Sequence, residues 1–243
     1  MSYKALAPIY DRIMCHVEYE EWIVLIDKIV KKHINKDNVS IFEIGGGTGV
    51  LGEYLKAHGY AYTGSDLSLY MSREAGKKGI PYFCADARLL PIKKQFDVVL
   101  FLYDGINYLQ TIQEYKKVFS EVSECLSRGG IFLFDITTEY NSMEHFYDFL
   151  DFEEFSDCSV IRHSYYDELT SIQHNDFTIF NFDPKTKKYD KLTDKHIQKV
   201  FPTQHIEEAI PVKTFETVGI WDEFRMKKHS SRSERIHFCL KRK

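Results

Sequence analysis

Several things are scarce in this chain of 243 residues, and each scarcity narrows what it does. There is no surplus of positive charge: Lys and Arg number 32 against 36 Asp and Glu, a formal net charge of −4. Phosphate neutralisation supplies most nucleic-acid affinity, so no nucleic-acid partner is expected. Long apolar runs are missing as well, the longest being residues 98–103, far short of a membrane span. The five cysteines (15, 84, 125, 158, 239) are scattered, odd in number and never spaced as CxxC. That excludes a disulfide framework and a cysteine-based zinc site. No HxxxH-type spacing occurs either, so no metal is expected. The first eight residues, MSYKALAP, carry no apolar stretch or small-residue cleavage site. A cytoplasmic protein with reduced thiols, monomeric or homodimeric, is the expectation.

What is present is apolar material, 44% of the chain with 15% aromatics, enough for a sizeable core. Residues 18–34 place Tyr19, Trp22, Ile23, Ile26, Ile29, Val30 and His33 on one helical face, with Lys28, Lys31 and Lys32 in the last turns. From residue 39 strands and helices alternate. Strands are predicted at 39–44, 60–63, 82–85, 96–103 and 131–136, and helices at 50–58, 69–77 and 111–126. This alternation specifies an α/β, doubly wound parallel sheet. After Thr138 the pattern turns extended and antiparallel, with runs at 159–166, 171–180 and 195–201 and a turn at Asp183-Pro184-Lys185-Thr186. The predicted division is an α/β part with an N-terminal helical lid, 1–138 with 202–243, and an inserted β-rich lid, 139–201. A short helix at 202–210 and strands at 215–221 and 235–240 complete the chain.

The strongest chemical signal is Glu43-Ile44-Gly45-Gly46-Gly47-Thr48-Gly49, where a strand ends and a helix begins. Glycines there admit positive φ and let a ligand approach the main chain, while helix amides point at it. Asp66, ending the next strand, suits a ribose diol, and Asp86, ending the third, an adenine edge. Two cofactors compete for this layout. Residues 47–52 spell GxGxxG, the dinucleotide fingerprint of NAD- or flavin-dependent oxidoreductases, whereas Glu43 beside the loop repels a pyrophosphate and favours a cationic or amine-bearing ligand. A catalytically silent nucleoside-binding module is a third reading.

Taken together these residues resemble the class I S-adenosylmethionine-dependent methyltransferases. EIGGGTG resembles their acidic-x-Gly-x-Gly-x-Gly motif, Ser65-Asp66-Leu67-Ser68 the ribose-binding strand end, and Ala85-Asp86-Ala87 the adenine-binding one. Residues 96–99 leading to Tyr103-Asp104-Gly105, and Leu126-Ser127-Arg128-Gly129-Gly130, resemble the fourth strand with its loop and the turn into the fifth. The match runs from about 38 to 136, and the C-terminal strand pair resembles the terminal hairpin of that fold. The resemblance implies a seven-stranded Rossmann-like sheet with an antiparallel β insertion after strand five, and S-adenosyl-L-methionine as cofactor. It implies that Glu43, Gly45, Gly47 and Gly49 hold the amino-acid end, Asp66 with Leu67 the ribose, and Asp86 with Ala87 the adenine. Tyr3, Tyr10-Asp11 and Asn107-Tyr108-Leu109 resemble small-molecule members, especially the N-methyltransferases of amino sugars.

The implied reaction is in-line methyl transfer to a small-molecule acceptor, expected to be an amine. The donor is already activated, so alignment and exclusion of water are the main tasks. Aromatic faces stabilise a sulfonium, and Tyr10 and Tyr103 are the candidates for that place. A base for the amine could be His145, His163 or His174, with His174 carried forward beside Tyr10 and Tyr103 as a catalytic candidate. The acidic run at 148–157, DFLDFEEFSD, reads as a solvated helix face. The C-terminal basics Arg225, Lys227, Lys228, Arg232 and Arg235 read as a solvated loop.

Overall fold

The computed structural model describes residues 3–222, 224 and 226–243. After a single 3-10 turn come α1 (Tyr10–Ile13), α2 (Tyr19–His33), β1 (Ser40–Ile44), α3 (Val50–Ala57), β2 (Ala61–Asp66), α4 (Leu69–Lys77) and β3 (Tyr82–Cys84). The chain continues through β4 (Phe96–Phe101), α5 (Ile112–Cys125), β5 (Leu126–Thr137), α6 (Glu139–His145) and the strands β6 (Asp148–Glu154), β7 (Cys158–Asp167), β8 (Ile172–Asp183) and β9 (Lys188–Lys199). It ends with α7 (Thr203–Ala209), β10 (Phe215–Asp222) and β11 (Arg235–Arg242).

Seven strands form one sheet in the order β10-β11-β5-β4-β1-β2-β3, parallel except where β11 pairs with β5 and β10. This is the Rossmann-like sheet expected. Its strands alternate between two apolar layers. Phe42, Ile44, Val99, Phe101, Phe132 and Phe134 pack against Tyr115, Val118, Phe119 and Val122 of α5. Ile41, Val98, Leu100, Ile131 and Leu133 face Trp22, Ile26 and Ile29 of α2 and Leu51 and Leu55 of α3. Each such fully buried side chain contributes about 1.5–3 kcal/mol, so the two layers fix the strand order. Helix α2 carries Glu20 and Glu21 in its first turn and Lys31, Lys32 and His33 in its last, complementing the dipole. Strand order reverses at β1, between β2 and β4, which opens a crevice at the carboxyl ends of those strands.

The four strands β6-β7-β8-β9 form a separate antiparallel sheet. Two sequence-based readings need correction here. The acidic run at 148–157 is no helix: 148–154 is the edge strand β6, paired with β7 in register Asp148↔Tyr165 through Glu154↔Ser159. Acidic residues have low strand propensity, but an edge strand tolerates them and its charges discourage further pairing. Residues 139–145, placed at the start of the β-rich insertion, form α6, whose first turn is capped by the Thr138 hydroxyl accepting from the Asn141 N–H. Strand β9 also starts seven residues before the expected 195, because its polar N-terminal half completes a hairpin with β8.

The N-terminal segment joins the two sheets. Leu6, Ile9 and Ile13 pack with Val160 and Ile179 of the small sheet. Asp194 of β9 accepts from the Ala5 and Leu6 N–H groups at 2.8 and 3.1 Å. On its other side Asp11 accepts from the Thr48 hydroxyl of the glycine loop and pairs with Lys78 at 2.7 Å.

Candidate active site

The loop after β1 presents main chain to the crevice. Gly45, Gly47 and Gly49 have φ of 65°, 57° and 78°, left-handed values that side chains rarely adopt. A Cβ at Gly49 would meet Ile80 Cδ1 at 2.4 Å, whereas one at Gly47 would meet only Tyr10, at 3.9 Å. The outer glycine is therefore demanded by packing, and Gly47 faces open space. The Tyr82 hydroxyl donates to the Gly47 carbonyl at 2.9 Å and steadies this loop.

A cavity of about 390 Å³ opens above the loop, lined by Glu43, Gly45, Gly46, Gly47, Asp66, Leu67, Asp86, Ala87, Tyr10 and Tyr103 among others. Glu43 is buried and accepts from the Tyr62 hydroxyl at 2.6 Å. Burial pushes its carboxyl up to about 7, with the Asp66 charge adding to the shift and Tyr62 opposing it. Asp66 accepts from the Gly47 N–H at 3.1 Å and the Ser68 N–H at 2.7 Å, and burial pushes it up to about 6. Two partly desolvated carboxylates favour a ligand bearing positive charge and oppose a diphosphate. Asp86 reaches the rim, but both its oxygens are engaged by Arg88, which holds it below the usual carboxylate range. Leu67 is a half-exposed rim residue.

A second cavity, of about 300 Å³, abuts the first, and Tyr3, Tyr10, Tyr103 and Tyr108 line both. Tyr3 and Tyr108 share a hydrogen bond at 2.5 Å, and Tyr3 and Tyr10 meet edge to face at 6.0 Å. One wall is the small sheet, where alternation sends Arg162 of β7, Gln173, Asn175 and Phe177 of β8, and His196 and Gln198 of β9 inward. The opposite wall is the loop after β4. Tyr103 and Asp104 both adopt left-handed backbone, at φ 58° and 50°, which costs about 1 kcal/mol or more per residue. Arg235 offsets this by gripping the loop: its guanidinium binds Asp104 at 2.8 Å, binds Asp135, and lies 4.8 Å from the Tyr103 ring centroid. Gln198 donates to the other Asp104 oxygen at 2.5 Å.

His196 is 2% exposed, both ring nitrogens lack hydrogen-bond partners, and its ring lies 4.1 Å from that of Tyr3. Burial pushes its pKa down to about 4, so it is neutral across the physiological range.

Comparison with known proteins bears on the activity. A methyltransferase domain model matches residues 42–134, the stretch that builds the glycine loop and the strand ends around it. The chain is an S-adenosylmethionine-dependent methyltransferase. It is 29% identical over 246 residues to "Putative methyltransferase YqeM" of Bacillus subtilis, covering 98% of this chain and 96% of that one. Its fold matches the crystal structure of an S-adenosylmethionine-dependent methyltransferase from Clostridium acetobutylicum, with a TM-score of 0.82, 24% identity and 98% of each chain covered. It also matches the sugar N-methyltransferase KedS8 from Streptoalloteichus, with a TM-score of 0.76, 18% identity and 96% and 92% coverage.

The methyltransferase brings Tyr10, Glu43, Gly45, Gly47, Asp66, Leu67, Asp86, Ala87 and Tyr103 to one cavity, with Gly49 behind it as the residue before α3. It does not bring the expected histidines there. His174 lies between the inward-facing Gln173 and Asn175, so strand alternation turns it to the outer face, stacked on Tyr165 at 4.4 Å. His163 pairs with Asp148 and His145 with Glu234, both half-exposed. Arg235 is also corrected: it is an interior clamp with 21% side-chain exposure, not a loop residue in water. Lys227, Lys228 and Arg232 are exposed, and Arg225 lies outside the described residues.

Sequence reasoning missed His196, Asp104 as a site residue, and Arg162. The available signal was strand alternation in 194–198, which turns Asp194, His196 and Gln198 to one side. It carries no meaning until the partner of that side is known.

Proposed function

We propose that this methyltransferase methylates the amino group of a small polar acceptor held in the second cavity. The observation that carries this reading is a buried, neutral, unpartnered imidazole facing the same small cavity as three carboxylates, Asp104, Asp151 and Glu153. Bound S-adenosylmethionine supplies a methyl group already activated by the sulfonium charge. The carboxylates draw in an ammonium group. Burial lowers its proton affinity, so the ammonium gives its proton to solvent on entry, and His196 accepts a hydrogen bond from the resulting amine and aims its lone pair. Tyr10, Tyr103 and Tyr108 exclude water at the junction of the cavities and offer ring faces to positive charge. Glu43 and Asp66 hold the donor by its positive and hydroxyl groups, with the Gly47 main chain beside them. The likeness to a sugar N-methyltransferase supports an amine of monosaccharide size.

The test is incubation of the protein and S-adenosylmethionine with matched panels of small amines and alcohols, read by mass spectrometry. A methyl gained on nitrogen in members of the amine panel is expected. Methylation confined to hydroxyls contradicts the amine reading.

A further inference from the structure

The second cavity holds a guanidinium that no carboxylate meets. Arg162 projects from β7 between two rings, its central carbon 5.0 Å from the Phe146 centroid and 5.7 Å from that of Phe177. Its hydrogen bonds go to neutral oxygens: Nε donates to Ser164 Oγ at 2.9 Å and Nη2 to Asn175 Oδ1 at 2.8 Å. Among the described residues it has no ion-pair partner, and Nη1 makes no hydrogen bond. Among the described residues, none of the acids on this cavity, Asp104, Asp151 or Glu153, forms an ion pair with it. Asp151 stands opposite Arg162 in the β6–β7 ladder, but its Oδ1 accepts from the Phe152 N–H. Asp104 is held by Arg235 and Gln198. Arg235, on the same cavity, has two carboxylates on its guanidinium. Arg162 has none in contact, and burial pushes its pKa down against the opposing charges of Asp104 and Asp151.

A guanidinium presents five N–H donors in a rigid fork that matches a carboxylate or phosphate edge. Two of them suffice for Ser164 and Asn175, which fix the plane of the group, while the Nη1 side stays free. A residue meant only to fill space between Phe146 and Phe177 would be apolar, because a buried charge without its partner is costly. We propose that Arg162 is the subsite for an oxyanion of the acceptor, so that the substrate carries an amine at one end and a carboxylate or phosphate at the other. This rests on the amine reading above for one end only. The two charges of such a molecule fix its direction in the cavity, with the oxyanion against Arg162 and the amine toward His196 and the tyrosine junction.

The experiment is calorimetry on the full chain saturated with S-adenosylhomocysteine, using four probes: propylamine, β-alanine, O-phosphoethanolamine and 3-hydroxypropionate. β-Alanine or O-phosphoethanolamine should bind at least about tenfold more tightly than propylamine, and the better of the two distinguishes carboxylate from phosphate. Arg162→Gln should erase that advantage and leave the dissociation constant for S-adenosylhomocysteine unchanged, while Arg162→Lys should keep part of it. Equal binding of propylamine, persistence of the preference in Arg162→Gln, or no binding of any oxyanion probe at millimolar concentration overturns the proposal. If 3-hydroxypropionate matches β-alanine with the same dependence on Arg162, the oxyanion subsite stands and the amine reading fails.

Discussion

The two cavities share a wall of tyrosines and are assembled in opposite ways. The first is built from the ends of β1 to β4 and the loops that follow them, nearly all within residues 43–114, with Tyr3, Tyr10, Met14, Tyr19 and Trp22 added from the N-terminal segment. The second draws on residues from Tyr3 to Arg235, spread over the N-terminal segment, the loop after β4, α6, all four strands of the small sheet and the start of β11. On the proposed assignment, donor binding rests on backbone geometry that strand order enforces, whereas acceptor binding rests on side chains of the separate small sheet.

The sharpest way to break that contrast is His196→Phe, which keeps a ring against Tyr3 and removes both nitrogens. If the second cavity performs the acceptor chemistry alone, kcat should fall by roughly 100-fold or more. Affinity for S-adenosylhomocysteine should not change, and thermal stability should hold or rise, since no buried unpaired nitrogen remains. Asp66→Ala is the mirror test. Losing charge-assisted bonds to a ribose diol should weaken S-adenosylhomocysteine by about 3 kcal/mol, near 100-fold in calorimetry, with the small sheet undisturbed.

Asp194→Ala probes the join between the halves. It strips the acceptor from the Ala5 and Leu6 N–H groups, and should cost about 1–3 kcal/mol of stability in thermal unfolding. It should also raise KM for the acceptor more than for the donor. A smaller, graded effect comes from pH. Glu43 and Asp66, pushed up to about 7 and about 6, retain protons in the free protein that a cationic ligand expels. Affinity for S-adenosylmethionine should therefore climb from about pH 5 to about pH 8, by at most tenfold per unit for each proton released. The sign for folding is the reverse. Both folded-state values lie above the unfolded ones, so their contribution to stability is present at about pH 4 and lost as pH rises through about 7. The smallest effect should be that of Asp11→Ala, under about 1 kcal/mol in unfolding experiments, because its carboxylate is about half exposed and its pair with Lys78 is screened by water.

The first cavity was legible in the sequence because its determinants are local: four glycines in five positions after an apolar strand, with an acid ending each of the next two strands. Strand–helix alternation pointed to a doubly wound parallel sheet, while the order of its strands is seen only in the structure. The second was not legible, for two physical reasons. An edge strand as acidic as 148–154 forms only because β7 is there to pair with it. Which histidine faces inward depends on registry, since one position along β8 separates the outward His174 from the inward Asn175. Arg235 was misread for a related reason: its two partners, Asp104 and Asp135, lie about a hundred or more residues away in sequence.

The most direct trial of the whole account is a crystal structure with S-adenosylhomocysteine bound. The account places the ribose hydroxyls on Asp66, the amino-acid end by Glu43 and Gly47, and the sulfur at the tyrosine junction, pointing into the cavity that holds His196 and Arg162. A sulfur directed to bulk solvent, with the second cavity closed off behind Tyr10 and Tyr103, would contradict it.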